Sequence, residues 1–128
     1  MAGILKTVSP YNRGPGHFCV GELNYERANQ PVVIALAAPA MLAGQIMGKI
    51  TASGKYVPLN TGAATGEEVF AGILWDDVAD SAADQKKVVT VREATVNSNA
   101  LVGWSALSAP QKATAITQAA ALGIIILT

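Results

Sequence analysis

His17 and Cys19 stand two residues apart and are the chain's only histidine and only cysteine. Such a pair offers two metal ligands, but a structural zinc site takes four, and no further residue of either type completes it. As base and nucleophile they would need a rigid setting and an oxyanion donor, which the neighbouring Pro10, Gly14, Pro15 and Gly16 do not supply. Asp76, Asp77, Asp80 and Asp84 have the density of a calcium loop without its spacing, central glycine or closing glutamate, so they read as a solvated acidic turn. Glu67 and Glu68 lie in a Thr/Gly/Ala stretch, and no second carboxylate is identifiable opposite them for glycoside hydrolysis. Gly62-Ala63-Ala64-Thr65-Gly66 lacks the Lys-Ser/Thr ending of a phosphate loop. No nucleophile, base and orienting group are assembled in the sequence. Neither a metal, a cofactor nor an enzyme is expected.

A chain of 128 residues is most simply one domain, long enough to bury its own core. Apolar residues make up 51% of it and charged residues only 14%, against about 25% in ordinary soluble domains. No apolar run reaches the ~18 to 20 residues that span a bilayer, and the nearest, 32–43, is broken by Pro39. Two explanations of the apolar excess stay open: self-association or docking on a larger surface, and a core rich in alanine. Lys plus Arg equals Asp plus Glu at nine each, with the basic residues scattered, so neither nucleic acid nor a membrane is an expected partner. A single cysteine allows no internal disulfide. The first six residues lack the charged and apolar regions of a secretory signal, which fits synthesis in the cytoplasm.

The elements that would carry these residues fall into two parts. Residues 1–30 are rich in Pro and Gly and show no sustained period, yet they contain Tyr11, Phe18 and Tyr25. An extended arm with aromatic anchors lying on another surface explains both features; an arm folded back on its own domain is the other reading. Residues 31–128 read as a β-rich domain. Strands are expected at 32–36, at 45–51 and 55–59 as a hairpin around Ala52-Ser53-Gly54, and at 69–75, where Gly72 marks a bulge or close approach. A further strand is expected at 87–93, with extended chain through 101. Ser108, Pro110 and Gln111 form a capping box for one convincing helix, with Ala113, Ile116 and Ala120 as its buried face and Gly123 just past its end. The final Ile124-Ile125-Ile126-Leu127 is apolar on both faces, as in a central strand or an edge strand covered by a partner. Trp75, Trp104, Ile124 and Ile126 are the candidate core or oligomer anchors.

Three segments recur in a recognisable order: Ala43-Gly44-Gln45-Ile46-Met47-Gly48-Lys49-Ile50, Gly54-Lys55-Tyr56-Val57-Pro58-Leu59 and Ala71-Gly72-Ile73-Leu74-Trp75-Asp76-Asp77-Val78. Val88-Val89-Thr90-Val91-Arg92-Glu93 and the helix-strand unit from Ser108 to Thr128 follow them. Over residues 18–128 this series resembles the head decoration proteins of tailed bacteriophages, the type that studs the lambda capsid. The resemblance implies a small, mainly β fold, tulip-like or an irregular barrel, with one or two short helices and an extended N-terminal arm. It also implies a homotrimer on the outer face of the expanded capsid, at three-fold positions, holding the head against the pressure of packaged DNA. In the family the arm pairs with a strand of the major capsid protein. Here that role would fall to residues 1–30, with Tyr11, His17, Phe18 and Tyr25 as candidate contacts. No small-molecule substrate is implied. A β-domain that binds a sugar or protein partner is the alternative, favoured if Tyr56 and Trp75 share an aromatic cluster. A small hydrolase would require Asp76, Asp77 and His17 to converge.

Overall fold

The computed structural model describes residues 14–22, 24–35, 39–80 and 83–128. Its elements run β1 (Cys19–Glu22), α1 (Tyr25–Ala28), β2 (Asn29–Ile34), β3 (Ile46–Lys49), β4 (Tyr56–Pro58), β5 (Phe70–Leu74), β6 (Gln85–Thr90), β7 (Ala94–Asn97), α2 (Ala109–Ala121) and β8 (Ile125–Leu127). The protein is mainly β with one main helix. Strands β2-β4-β3-β5-β6 close a barrel, and β1-β7-β8 form a separate small sheet.

The expected hairpin forms, with Met47 opposite Pro58 and Lys49 opposite Tyr56. Its turn is closed by the Gly54 N–H donating to Ile50 O at 2.8 Å. On the other side of β3 the register with β5 slips: Met47 faces Gly72 but Gly48 faces Phe70, which leaves Ala71 as the extra residue of a bulge. Gly72 is also a close approach, since a Cβ there would lie 2.6 Å from Val89 Cγ1. Strand β2 pairs antiparallel with β6 from Asn29–Thr90 to Ile34–Gln85. The Val91 N–H donating to Ala28 O at 2.9 Å sets the phase of that ladder. Pro31, opposite Val88, then falls on a pair that exchanges no hydrogen bonds, so its missing N–H costs nothing. The barrel closes where Ile34 meets Tyr56 in parallel, extended by the Ala35 N–H donating to Tyr56 O at 3.1 Å.

Strands β3 and β5 are buried on both faces. Successive side chains of a strand point opposite ways. Met47 and Leu74 therefore fill the barrel with Ile34, Tyr56 and Val89, while Ile46 and Ile73 face a second core with Phe18, Val96, Trp104 and Ile124. Helix α2 lies over that second core. Its start is the expected capping box: the Gln111 N–H donates to Ser108 Oγ at 3.3 Å and the Ser108 N–H to Gln111 Oε1 at 2.8 Å. Its end is closed by the Gly123 N–H to Ala120 O and the Ile124 N–H to Ala119 O, both 2.9 Å.

Three expectations are corrected. The buried face of α2 is Ala115 and Ala119; Ala113 and Ala120 are exposed, and Ile116 is only partly buried. Alanine occurs around the whole helix, so its pattern does not set the rotation, whereas the Phe70 N–H donating to Gln118 Oε1 at 2.9 Å holds one face on β5. Strand β7 ends at Asn97 instead of running on to 101. The Asn97 side chain accepts the Asn99 N–H at 2.9 Å and turns the chain into a 3-10 turn, Ser98–Ala100. The folded part also begins well before residue 31. Strand β1 pairs antiparallel with β7, and Phe18 and Ala28 are fully buried. Residues 1–13, the rest of the expected arm, lie outside the described residues.

Strand β8 runs parallel to β7 at the margin of the small sheet. Ile124 and Ile126 point into the core, but Ile125 is 58% exposed. Ile126→Lys, which buries a charge, should cost more than about 4 kcal/mol and prevent folding. Ile125→Lys should change stability by no more than about 0.5 kcal/mol in urea titrations at low concentration, where association contributes least. Equal losses would show that the chain's own core covers Ile125.

Candidate functional site

Residues 14–18, which follow the undescribed residues 1–13, form a turn, here the exit turn, that is fastened in three places. Gly16 donates its N–H to Trp75 O at 2.9 Å, and a Cβ on it would lie 2.4 Å from the indole Cη2. Its φ of +68° is a conformation open to glycine and strained for other residues. Phe18 enters the core and meets the Trp75 ring edge-on at 5.9 Å. His17 lies between two carbonyls, Nδ1 at 3.0 Å from Gly14 O and Nε2 at 3.2 Å from Ala100 O. The slot for its ring exists because residue 44 is glycine: a Cβ there would sit 3.2 Å from His17 Cε1 and 2.6 Å from Ala100 O. Tyr25, 48% exposed, packs edge-to-face on Trp75 at 5.2 Å. Trp75 is thus the hub of the turn.

Of the candidate arm contacts, Tyr11 lies outside the described residues. His17 is half-buried and Tyr25 exposed, while Phe18 is a core side chain with no face left for another surface. Its carbonyl accepts the Asn97 N–H at 2.9 Å, which places it on the β7 side of the chain. Trp104, Ile124 and Ile126 are core residues, and Trp75 is half-buried at the turn. Sequence reasoning missed Gly16 and Gly44. Gly14-Pro15-Gly16 signals a turn, but nothing in it names Trp75 or Ala100 as the partner. The outer face of the small sheet was also missed. There Gly21 and Ile125 flank Thr95, and Val20 in the β1 bulge is 51% exposed, so the face is uncharged across Val20, Thr95 and Ile125.

Four of the acidic residues, Glu67, Glu68, Asp76 and Asp77, serve as braces. Asp77 Oδ1 accepts the Ala43 N–H at 2.7 Å, and Asp76 Oδ1 accepts the Asp77 N–H at 2.7 Å, holding the turn that contains Gly44. Glu67 accepts from Thr65 Oγ1 and Glu68 from the Gly66 N–H. His17 and these carboxylates all bond to backbone or to near neighbours, so no proton relay connects them. An open groove of about 1160 Å³ is lined by Lys49, Tyr56, Glu68, Val69, Arg92 and Glu93 among others. Its charges are engaged: Arg92 donates to Arg27 O at 2.6 Å and to Gln30 Oε1 at 2.7 Å, Glu93 pairs with Arg27, and Lys49 lies over the Tyr56 ring. Tyr56 belongs to the barrel core and Trp75 packs on the second core, so they share no aromatic platform. Among the described residues no three His, Cys, Asp or Glu side chains gather to hold a metal. What the arrangement offers is a turn at residues 14–18 fixed to the domain through Trp75 and Ala100.

Gly16→Ala should cost about 2 to 3 kcal/mol, from the left-handed backbone and the indole contact together. In a Trp75→Leu background the loss should shrink, and a double-mutant cycle by urea denaturation measures the coupling. Additive losses would mean that Gly16 and Trp75 do not constrain each other. Burial pushes the Tyr56 phenol up, with Arg92 pulling weakly the other way. The fold therefore favours the neutral phenol; that stability is intact below the ordinary tyrosine value of about 10 and is lost as pH rises through the folded titration. Urea midpoints should fall between pH 9 and pH 11, and less so in Tyr56→Phe.

A family model described as bacteriophage lambda head decoration protein D matches residues 10–124. The match starts ahead of the exit turn and runs through the barrel to the end of α2. No curated protein matches the chain. The family match covers most of the sequence and coincides with the fold, and the chain belongs to the bacteriophage lambda head decoration protein D family, structural proteins of the phage head.

Proposed function

We propose that the protein binds the outer surface of an expanded phage capsid as a homotrimer at three-fold positions and holds the head against the pressure of packaged DNA. The observation that carries this reading is the family match over residues 10–124. The exit turn supports it: residues 1–13 form a segment joined to the domain at an anchored point, with Ile4, Leu5, Val8 and Tyr11 as side chains suited to an extended contact. Such an arm can add a strand to an exposed edge of the major capsid protein, with backbone hydrogen bonds for affinity and side-chain pockets for specificity. A trimer carries three arms, so after one binds, the others meet their sites at high effective concentration. A ligand that binds only the expanded shell stabilises that state by mass action, about 2.7 kcal/mol per site at 100 times its Kd. The uncharged face at Val20 and Ile125 supplies further area for contact. Cementing of this kind requires no catalytic residue. The protein would be made in the host cytoplasm and end on the virion surface.

Light scattering of the purified protein, alone and mixed with expanded empty capsids of its own phage, tests the reading. Three-chain particles that co-migrate with capsids are expected. Removal of residues 1–13 should leave a folded protein of unchanged oligomeric mass whose capsid affinity falls by about 100-fold or more. Undiminished binding by the truncated chain would remove the arm from the mechanism. A full-length protein that ignores capsids would leave the sugar- or protein-binding β-domain as the function.

A further inference from the structure

We infer that His17 is a positioning residue, a clamp that fixes the turn at Gly14 from which residues 1–13 continue. Its importance for capsid attachment rests on the function proposed above; the clamp itself does not. The imidazole bridges two parts of the chain that nothing local would join. Nδ1 faces the carbonyl of Gly14, the last residue before the undescribed segment, and Nε2 faces the carbonyl of Ala100, 83 residues away at the end of the 3-10 turn. Both neighbours are acceptors, so a ring N–H donates in either tautomer: from Nε2 it ties the turn to the domain, from Nδ1 it closes the turn on itself, and the cation does both. The surroundings leave the ring little freedom. Gly44 lies against one edge, with room for no Cβ, and Phe18 meets it edge-on at 6.0 Å. Among the described residues no carboxylate or cation is hydrogen-bonded to it. Its described contacts all hold the exit turn.

The consequence is entropic. An arm that leaves from a fixed point in a fixed direction loses less freedom on binding than one hinged several residues further back. A modest penalty per arm, about 5-fold, multiplies across a trimer to about 100-fold.

Trypsin can read the clamp on the full-length protein without capsids. Arg13 adjoins the turn, whereas Lys6 is far enough along the segment to act as an internal standard. In His17→Ala the ratio of cleavage after Arg13 to cleavage after Lys6 should rise about 10-fold, with the urea midpoint close to that of the parent. His17→Gln, whose amide N–H can still donate to Ala100 O, should restore most of the parent ratio and keeps the test valid if the alanine variant folds poorly. An unchanged ratio in His17→Ala overturns the clamp. A rise matched by a large fall in urea midpoint and general proteolysis also overturns it, since His17 would then be only a core contact. Capsid affinity should fall about 100-fold in His17→Ala and recover in His17→Gln; a raised ratio with unchanged affinity overturns the positioning role. If the parent protein itself fails to bind capsids, the attachment reading falls and the cleavage ratio alone decides the clamp.

Discussion

The double burial of β3 and β5 is the constraint on which the rest of the structure depends. One face of each strand fills the barrel and the other floors the second core, so Met47 and Ile46, or Leu74 and Ile73, serve different cores from adjacent positions. A strand in that position has no solvent face, which is why both read as nearly continuous apolar runs. The bulge at Ala71 and the missing side chain at Gly72 let the shared wall bend and accept β6 at close range. That wall, with Phe18, Leu101 and Trp104, is what α2 and the small sheet pack on. Their own contribution is Ala94, Val96, Ala115, Ala119, Ile124 and Ile126.

The exit turn depends on the same wall. Trp75 follows β5 directly, so its position is inherited from the strand, and Gly16, Phe18 and Tyr25 are arranged around it. The Asp77 carboxylate, two residues on, holds the Ala43 N–H and with it the turn that gives the His17 ring its slot. Rigidity is thereby carried from the barrel to the place where residues 1–13 begin.

The low charge of the chain has a counterpart in the structure. Several of its ionic groups brace turns or pair with neighbours, as Arg92 does with Gln30 and Arg27 O, or Lys55 with Asp84. The outer face of the small sheet stays uncharged across Val20, Thr95 and Ile125. Charge placed on a surface to be covered would carry a desolvation cost. Of the two explanations of the composition, a core rich in alanine accounts for only a part, because most of the chain's alanines lie outside the buried core.

Much of the fold was legible in the sequence where the signal is local. The Ser-Gly turn between β3 and β4, the capping box at Ser108, the glycine closing α2 and the close approach at Gly72 each follow from a few adjacent residues whose backbone chemistry has one good solution. The family, too, is encoded in the order of such segments. The tertiary structure decided what depends on partners distant in the chain. Alanine all round α2 left its rotation to Gln118 and β5. The parallel pairing of β8 with β7 put Ile125 outside and Ile126 inside, which a run of identical isoleucines cannot express. Residues 14–30 look like an arm by composition, because Pro and Gly mark irregular backbone whether it is free or packed. Only the contacts of Gly16 with Trp75, His17 with Ala100 and β1 with β7 make them part of the domain.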